Sequence, residues 1–195
     1  MPLSRTLIAA AVLIAALCGG CATNPVTGKS DVVTMSAEQE VAIGRDAHPK
    51  ILQKYGRYDD EELQAYVSGI GQRIAAVSHR PDLQYTFTVL DTEDINAFAL
   101  PGGYVYITRG IMAYLNSEAE LVAVVGHEVG HVTARHAVRQ QTGAAATGIG
   151  ALLVGILTGS GDLANVANMA GSALVSGYGR DMELEADDIG AQYLD

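Results

Sequence analysis

The stretch that decides the reading runs from Asn116 to Gln141, NSEAELVAVVGHEVGHVTARHAVRQQ, with His127-Glu128-Val129-Gly130-His131 at its centre. Residues four apart on a helix are separated by about 40° around its axis, so His127 and His131 stack on one face and present two imidazoles to a single ion. Zn²⁺ suits such a pair, because neutral imidazole binds it at about 2.0 to 2.1 Å and a catalytic zinc takes three protein ligands with one position left for water. Glu128 falls on the neighbouring face, placed as a base beside the metal. Ser117 with Glu120 has the form of a capping box, and Asn116 is an alternative cap, so the helix starts just before the apolar run Leu121 to Val125. Projected at about 100° per residue, Ala119, Ala123, Gly126, Gly130 and Ala137 form one narrow stripe. The two glycines cost the helix roughly 1 to 2 kcal/mol relative to alanine. The stripe therefore points to a second backbone packed close against it.

The third ligand is sought near the other end, in Arg180-Asp181-Met182-Glu183-Leu184-Glu185-Ala186-Asp187. Glu183 and Asp187 are four apart and share a helical face. The first carboxylate can complete a metal shell, and the second can accept the other ring N–H of a ligating histidine. Glu185 points about 200° away from Glu183 and reads as a solvated residue. His136 would lie about 140° from His131 on a continuous helix, so it is left out of the ligand set. A third-histidine arrangement would need a glycine-mediated reversal, and Val132 to Ala137 offers none.

These two motifs, preceded by Asn96-Ala97-Phe98-Ala99-Leu100-Pro101-Gly102-Gly103, resemble the gluzincin family of CAAX prenyl proteases and HtpX-like peptidases, in its branch of soluble bacterial envelope lipoproteins. The resemblance extends from about Asn24 to the last residue. It implies one Zn²⁺ per chain held by His127, His131 and Glu183, with Glu128 as the catalytic acid/base. It also implies an endopeptidase that hydrolyses misfolded or misassembled envelope proteins, using a zinc-activated water that Glu128 deprotonates. Asn96, Ala97, Phe98 and Ala99 would edge the cleft, where a substrate peptide adds by main-chain pairing. The alternative for that segment is a purely structural hairpin, and the alternative for the whole chain is a metal-containing chaperone-like or binding module with little proteolysis. Relatives usually continue beyond the glutamate helix, so a C-terminal truncation is expected at Asp195.

The implied fold class is α+β and mainly helical, with a small antiparallel sheet and its edge hairpin packed on the histidine helix and on a second helix that carries Glu183. At 195 residues and 49% hydrophobic, the chain suffices for one substantial core. The formal charge of −10 becomes −11 once Arg5 is removed with residues 1–20, which argues against nucleic acid as a partner. Residues 1–20 read as a signal peptide, with Arg5 ahead of an apolar core from Leu7 to Leu17. Gly19-Gly20-Cys21 resembles a lipobox cleaved before Cys21, although Cys18 stands where an aliphatic residue is usual. An ordinary signal sequence and an uncleaved anchor are the alternatives. Acylation of Cys21 would tether residues 35–195 through a linker over 21–34 on the periplasmic side of the envelope, and Ala22 in place of aspartate favours the outer membrane. The mature domain would then have no thiol.

A helix is expected from Ser36 to about Tyr55. A second should open at Asp59 and bury Leu63, Tyr66, Val67, Ile70 and Ile74. His48 and His79 read as surface or capping residues. Strands are expected over 84–90, 95–100 and 103–108, the last two joined by a tight turn at Pro101-Gly102-Gly103. The apolar stretch Gly143 to Gly161 is short of a continuous membrane span. It reads as a helical hairpin acting as a lid, a core element or a membrane contact. No residue is singled out as an oxyanion donor, Tyr178 and Arg180 included.

Overall fold

The computed structural model describes residues 21–33, 35–143 and 178–194. The expected signal peptide and nearly all of the 143–161 stretch lie outside them. The fold is α+β and mainly helical, with a small three-stranded sheet.

Strands β1 (Cys21–Thr23) and β2 (Ser30–Val32) pair antiparallel. The segment read as a linker is therefore a folded hairpin. Its turn is closed by buried Asn24, whose Oδ1 accepts from the N–H groups of Val26 and Thr27 and whose amide donates to Asp31 at 2.7 Å. Asn, Pro and Gly mark a tight turn as readily as a flexible tether.

Helix α1 (Ala37–Tyr55) starts with the full Ser36–Gln39 capping box. Helix α2 (Glu61–Val77) is capped by Asp60, one residue later than expected, through a 2.9 Å bond from Leu63 N–H. Val67, Ile70 and Ile74 are buried as expected. Tyr66 is not: it is 44% exposed and donates its hydroxyl to Glu118.

The remaining strands are β3 (Thr86–Leu90), β4 (Ala97–Leu100) and β5 (Tyr104–Thr108), in the order β3-β5-β4. The expected antiparallel sheet is in fact mixed, since β5 pairs antiparallel with β4 but parallel with β3. The hairpin itself forms as expected, with Gly102 at φ +80° and Gly103 at φ +90°. Residue periodicity predicts strands but not which edge a returning strand takes, and β5 returns between β4 and β3. The outer edge of β3 is sealed by Gln64, whose amide binds both the N–H and the C=O of Val89 at 2.9 Å. Edge strand β4 pairs with β5 alone among the described residues.

After α3 (Arg109–Tyr114) come α4 (Glu118–Thr133), which holds both histidines of the pentapeptide, and α5 (Arg180–Gln192), which holds Glu183 and Asp187. The core joins α2, β3, β5 and α4 through Ile70, Val89, Val105, Ile107, Val125 and Val129, with Ile189 of α5 closing one side. His48 and His79 make tyrosine contacts, to the hydroxyls of Tyr106 at 2.7 Å and of Tyr193 at 2.6 Å.

The second backbone that the small-residue stripe calls for is α5. A methyl group on Gly130 would stand 2.9 Å from the carbonyl oxygen of Ala186, and one on Gly190 only 3.0 Å from the amide nitrogen of His127. Ala119 and Ala123 face solvent instead. Gly130→Ala is thus expected to destabilise the fold by about 1 to 3 kcal/mol despite alanine's better helix propensity. Gly126→Ala, whose methyl would meet its nearest neighbours at 3.4 Å, should be neutral or slightly stabilising. Urea unfolding of both variants measures this contrast, and equal stabilities would contradict it.

Candidate metal centre

Helix α4 presents His127 and His131 on one face, and the close packing of α5 carries Glu183 to them. One potential ligand atom from each of the three residues lies within 4.8 Å of the others. His127 Nε2 is 2.9 Å from His131 Nε2 and 3.4 Å from Glu183 Oε2, and His131 Nε2 is 3.8 Å from Glu183 Oε1. Two ligands each about 2.0 to 2.1 Å from one ion at the tetrahedral angle stand roughly 3.3 to 3.4 Å apart, a value these separations bracket.

The ring nitrogens facing away from this centre are both engaged. His127 Nδ1 is 2.8 Å from Asp187 Oδ1. An ionised carboxylate only accepts, so Nδ1 carries the proton and Nε2 keeps its lone pair. His131 Nδ1 is 2.7 Å from Nδ1 of His136, a contact that likewise leaves Nε2 of His131 facing His127 and Glu183. Burial, with His127 and His136 adding to it, pulls His131 down to about 3, so its imidazole is neutral. Two imidazole lone pairs and a carboxylate converging on one point repel one another unless a cation sits among them, and the donor set fits zinc.

Glu128 is 7% exposed at the base of the site. Burial and then the nearby Glu183 charge push its carboxyl up to about 8. Tyr178 stacks on the His131 ring with centroids 4.2 Å apart and planes inclined by 21°, and burial raises its phenol. A small cleft beside His131 is lined by Ala99 and Leu100 of β4, by Glu40 and by Tyr178. Of the expected cleft-edge residues, Asn96 is exposed, Ala97 and Phe98 are half-buried, and Ala99 is buried in the core. Phe98 packs its ring on Tyr106 at 4.9 Å.

Two readings of the sequence need correction. The helix through His131 is not continuous through His136: α4 ends at Thr133, and Arg135 adopts a φ of +57° before residues 136–143 resume as helix. The missing glycine is replaced by anchoring. Arg135 donates to Glu40 at 3.1 Å and to the carbonyl of Met35 at 2.9 Å, while Arg80 donates to Glu40 at 2.7 Å and to the terminal carbonyl of Val132 at 3.1 Å. Those ion pairs hold a backbone conformation costing of order 1 to 3 kcal/mol for a residue other than glycine. Glu185, in turn, is not a solvated residue. The folded-back segment meets it, so that it accepts from Arg139 at 2.7 Å and lies 3.1 Å from His136 Nε2. Burial works to raise its pKa, but those two partners prevail and hold it below its ordinary value. The pentapeptide gave no sign of either contact, since both depend on the break at Arg135.

A family model for Peptidase family M48 matches residues 61–195. The chain belongs to peptidase family M48. Among its relatives, the beta-barrel assembly-enhancing protease of Escherichia coli (strain K12) is 30% identical over 98% of this chain and 42% of its own length. The putative beta-barrel assembly-enhancing protease of Vibrio cholerae is 34% identical over 83% of this chain and 35% of its own. The mitochondrial metalloendopeptidase OMA1 of Schizosaccharomyces pombe is 32% identical, covering 87% of this chain and 51% of that protein. The chain spans about two fifths of the length of the beta-barrel assembly-enhancing relatives. Membership places this M48 chain among the metallopeptidases.

The metal-free M48 chain has a pH signature. Folded Glu128 titrates near 8 and an unfolded glutamate near 4.5, so between those values folding requires proton uptake and stability falls as pH rises. Glu128→Gln removes this dependence. Melting in chelator should show an advantage for the variant that is small near the lower value and grows toward the upper one. An advantage that does not change with pH would contradict the buried carboxyl.

Proposed function

We propose that the chain is a zinc-dependent endopeptidase of the bacterial cell envelope, acting on misfolded or misassembled proteins. The observation that carries it is the convergence of His127 Nε2, His131 Nε2 and a Glu183 oxygen while both Nδ1 atoms are engaged elsewhere. When bound there, zinc would supply Lewis-acid polarisation of a peptide carbonyl and acidify a water molecule.

The chain's own residues account for the remaining chemistry. Glu128, buried beside the ligands, takes a proton from the attacking water and hands it to the leaving amine, so that one water and one peptide bond become a carboxylate and an amine. Its raised pKa in the metal-free protein suits a shuttle working near neutral pH, and a dication nearby would favour its ionised form. Asp187 orients the His127 ring. The edge of β4 that has no strand partner among the described residues borders the cleft beside His131 and suits an extended substrate that adds as a strand along Asn96 to Ala99.

The envelope assignment rests on the N-terminal sequence, read as an export signal over residues 1–20 followed by Cys21, and on the names of the beta-barrel assembly-enhancing relatives. No helix among the described residues is long and apolar enough to cross a membrane. Acylated Cys21 would hold the domain at the outer membrane. Cys21→Ala should then move the protein from the membrane fraction to the soluble one, and an unchanged distribution would exclude the anchor.

The activity is tested by metal analysis together with casein cleavage on the wild type and Glu128→Gln. The expected result is one zinc per chain in both and cleavage in the wild type alone. Retained cleavage in the variant would remove Glu128 from the mechanism. Unchanged rescue of client folding with no cleavage by either protein would favour the binding module.

A further inference from the structure

Behind His131 lies a chain of polar groups that the proposed hydrolysis does not use. His136 is wholly buried, and each of its ring nitrogens has a partner: Nδ1 meets His131 Nδ1 at 2.7 Å, and Nε2 meets Glu185 Oε2 at 3.1 Å. Glu185 is itself held by Arg139, whose guanidinium lies 3.7 Å from Asp31 of the N-terminal hairpin. The proton positions follow in order. Glu185 is ionised beside Arg139 and can only accept, so His136 Nε2 carries a hydrogen. A neutral His136 then has a bare Nδ1, which accepts from His131 Nδ1–H. The proton on Nδ1 leaves His131 Nε2 as a lone pair directed at His127 and Glu183.

We propose that His136, backed by Glu185 and Arg139, is a positioning residue that fixes the tautomer and ring rotation of His131 for metal binding. The two histidines of α4 are therefore oriented by different devices. His127 leans directly on a carboxylate, whereas His131 reaches one through an intervening imidazole. Stacking on Tyr178 sets the plane of the His131 ring, and the bond it donates to His136 sets its rotation within that plane. A bare hydrophobic pocket would allow either tautomer, and half of those states would turn a protonated nitrogen toward the ion.

This inference rests on the zinc site proposed above, and the test separates the two. Zinc dissociation constants are measured by chelator competition on the full chain, with metal-free melting temperatures in parallel. The proteins are the wild type, His136→Leu, His136→Asn and Glu185→Ala. His136→Leu removes the acceptor and should weaken zinc binding by about 10- to 100-fold. His136→Asn keeps an oxygen near the place of Nδ1 and should recover most of that loss. Glu185→Ala, altered at a partly exposed side chain, should give a smaller but measurable weakening. If His136→Leu does not fold, the Asn and Ala variants decide. Zinc constants equal to wild type in the folded variants, with only metal-free melting lowered, would make His136 a packing residue and overturn the proposal. Equal losses in Leu and Asn would also overturn it, since the acceptor would then not matter. A wild-type chain that binds no zinc overturns the metal site itself along with this inference.

Discussion

The site depends on how close α5 can come to α4. Helices packed through ordinary side chains keep their axes about 8 to 10 Å apart, whereas here Gly130 faces the carbonyl of Ala186 and Gly190 faces the backbone at His127. Glutamate has a short reach, and this backbone contact lets Glu183 meet two imidazoles from another helix. A second contact holds the far end of the pair. The Tyr193 hydroxyl donates to Thr133 at 3.0 Å and accepts from the N–H of His79, tying the end of α5 to the end of α4 and to the loop after α2.

A buried ionic cluster sets what lies behind the site. Glu40 from α1 receives Arg80 and Arg135, all three with little exposure. Taking such charges out of water costs several kcal/mol each, so the cluster is better understood as specifying geometry than as a source of stability. It fixes the end of α4 and the left-handed residue that follows. That turn directs residues 136–143 against α5, and the His131–His136–Glu185 chain results from it.

Much of this was legible in the sequence because it is local or periodic. The capping box at Ser36, the cap at Ser117, the glycine turn after Pro101 and the shared faces of His127 with His131 and of Glu183 with Asp187 are all set by spacing within one element. Gly126 and Gly130 even announced a close neighbour, though not which helix it was. What escaped reading depends on partners far along the chain. The parallel pairing of β3 with β5 follows from the order in which strands dock, not from any pattern within them. Arg135 takes a positive φ because Glu40 and Met35, about a hundred residues earlier, hold its side chain. Glu185 looked solvated because its angle from Glu183 was judged without the segment that packs against its other side. The hairpin at Cys21 to Val32 shares its composition with flexible tethers, and only the bonds of Asn24 distinguish it.

The central claim is that α4 and α5 together form one tetrahedral site for a dication. Anomalous diffraction at the zinc edge, on crystals of the zinc-loaded chain, tests it most directly. The account predicts a single strong peak within about 2.0 to 2.2 Å of His127 Nε2, His131 Nε2 and a Glu183 oxygen. A peak bound elsewhere, or one that engages the histidines while Glu183 stays out of reach, would contradict it.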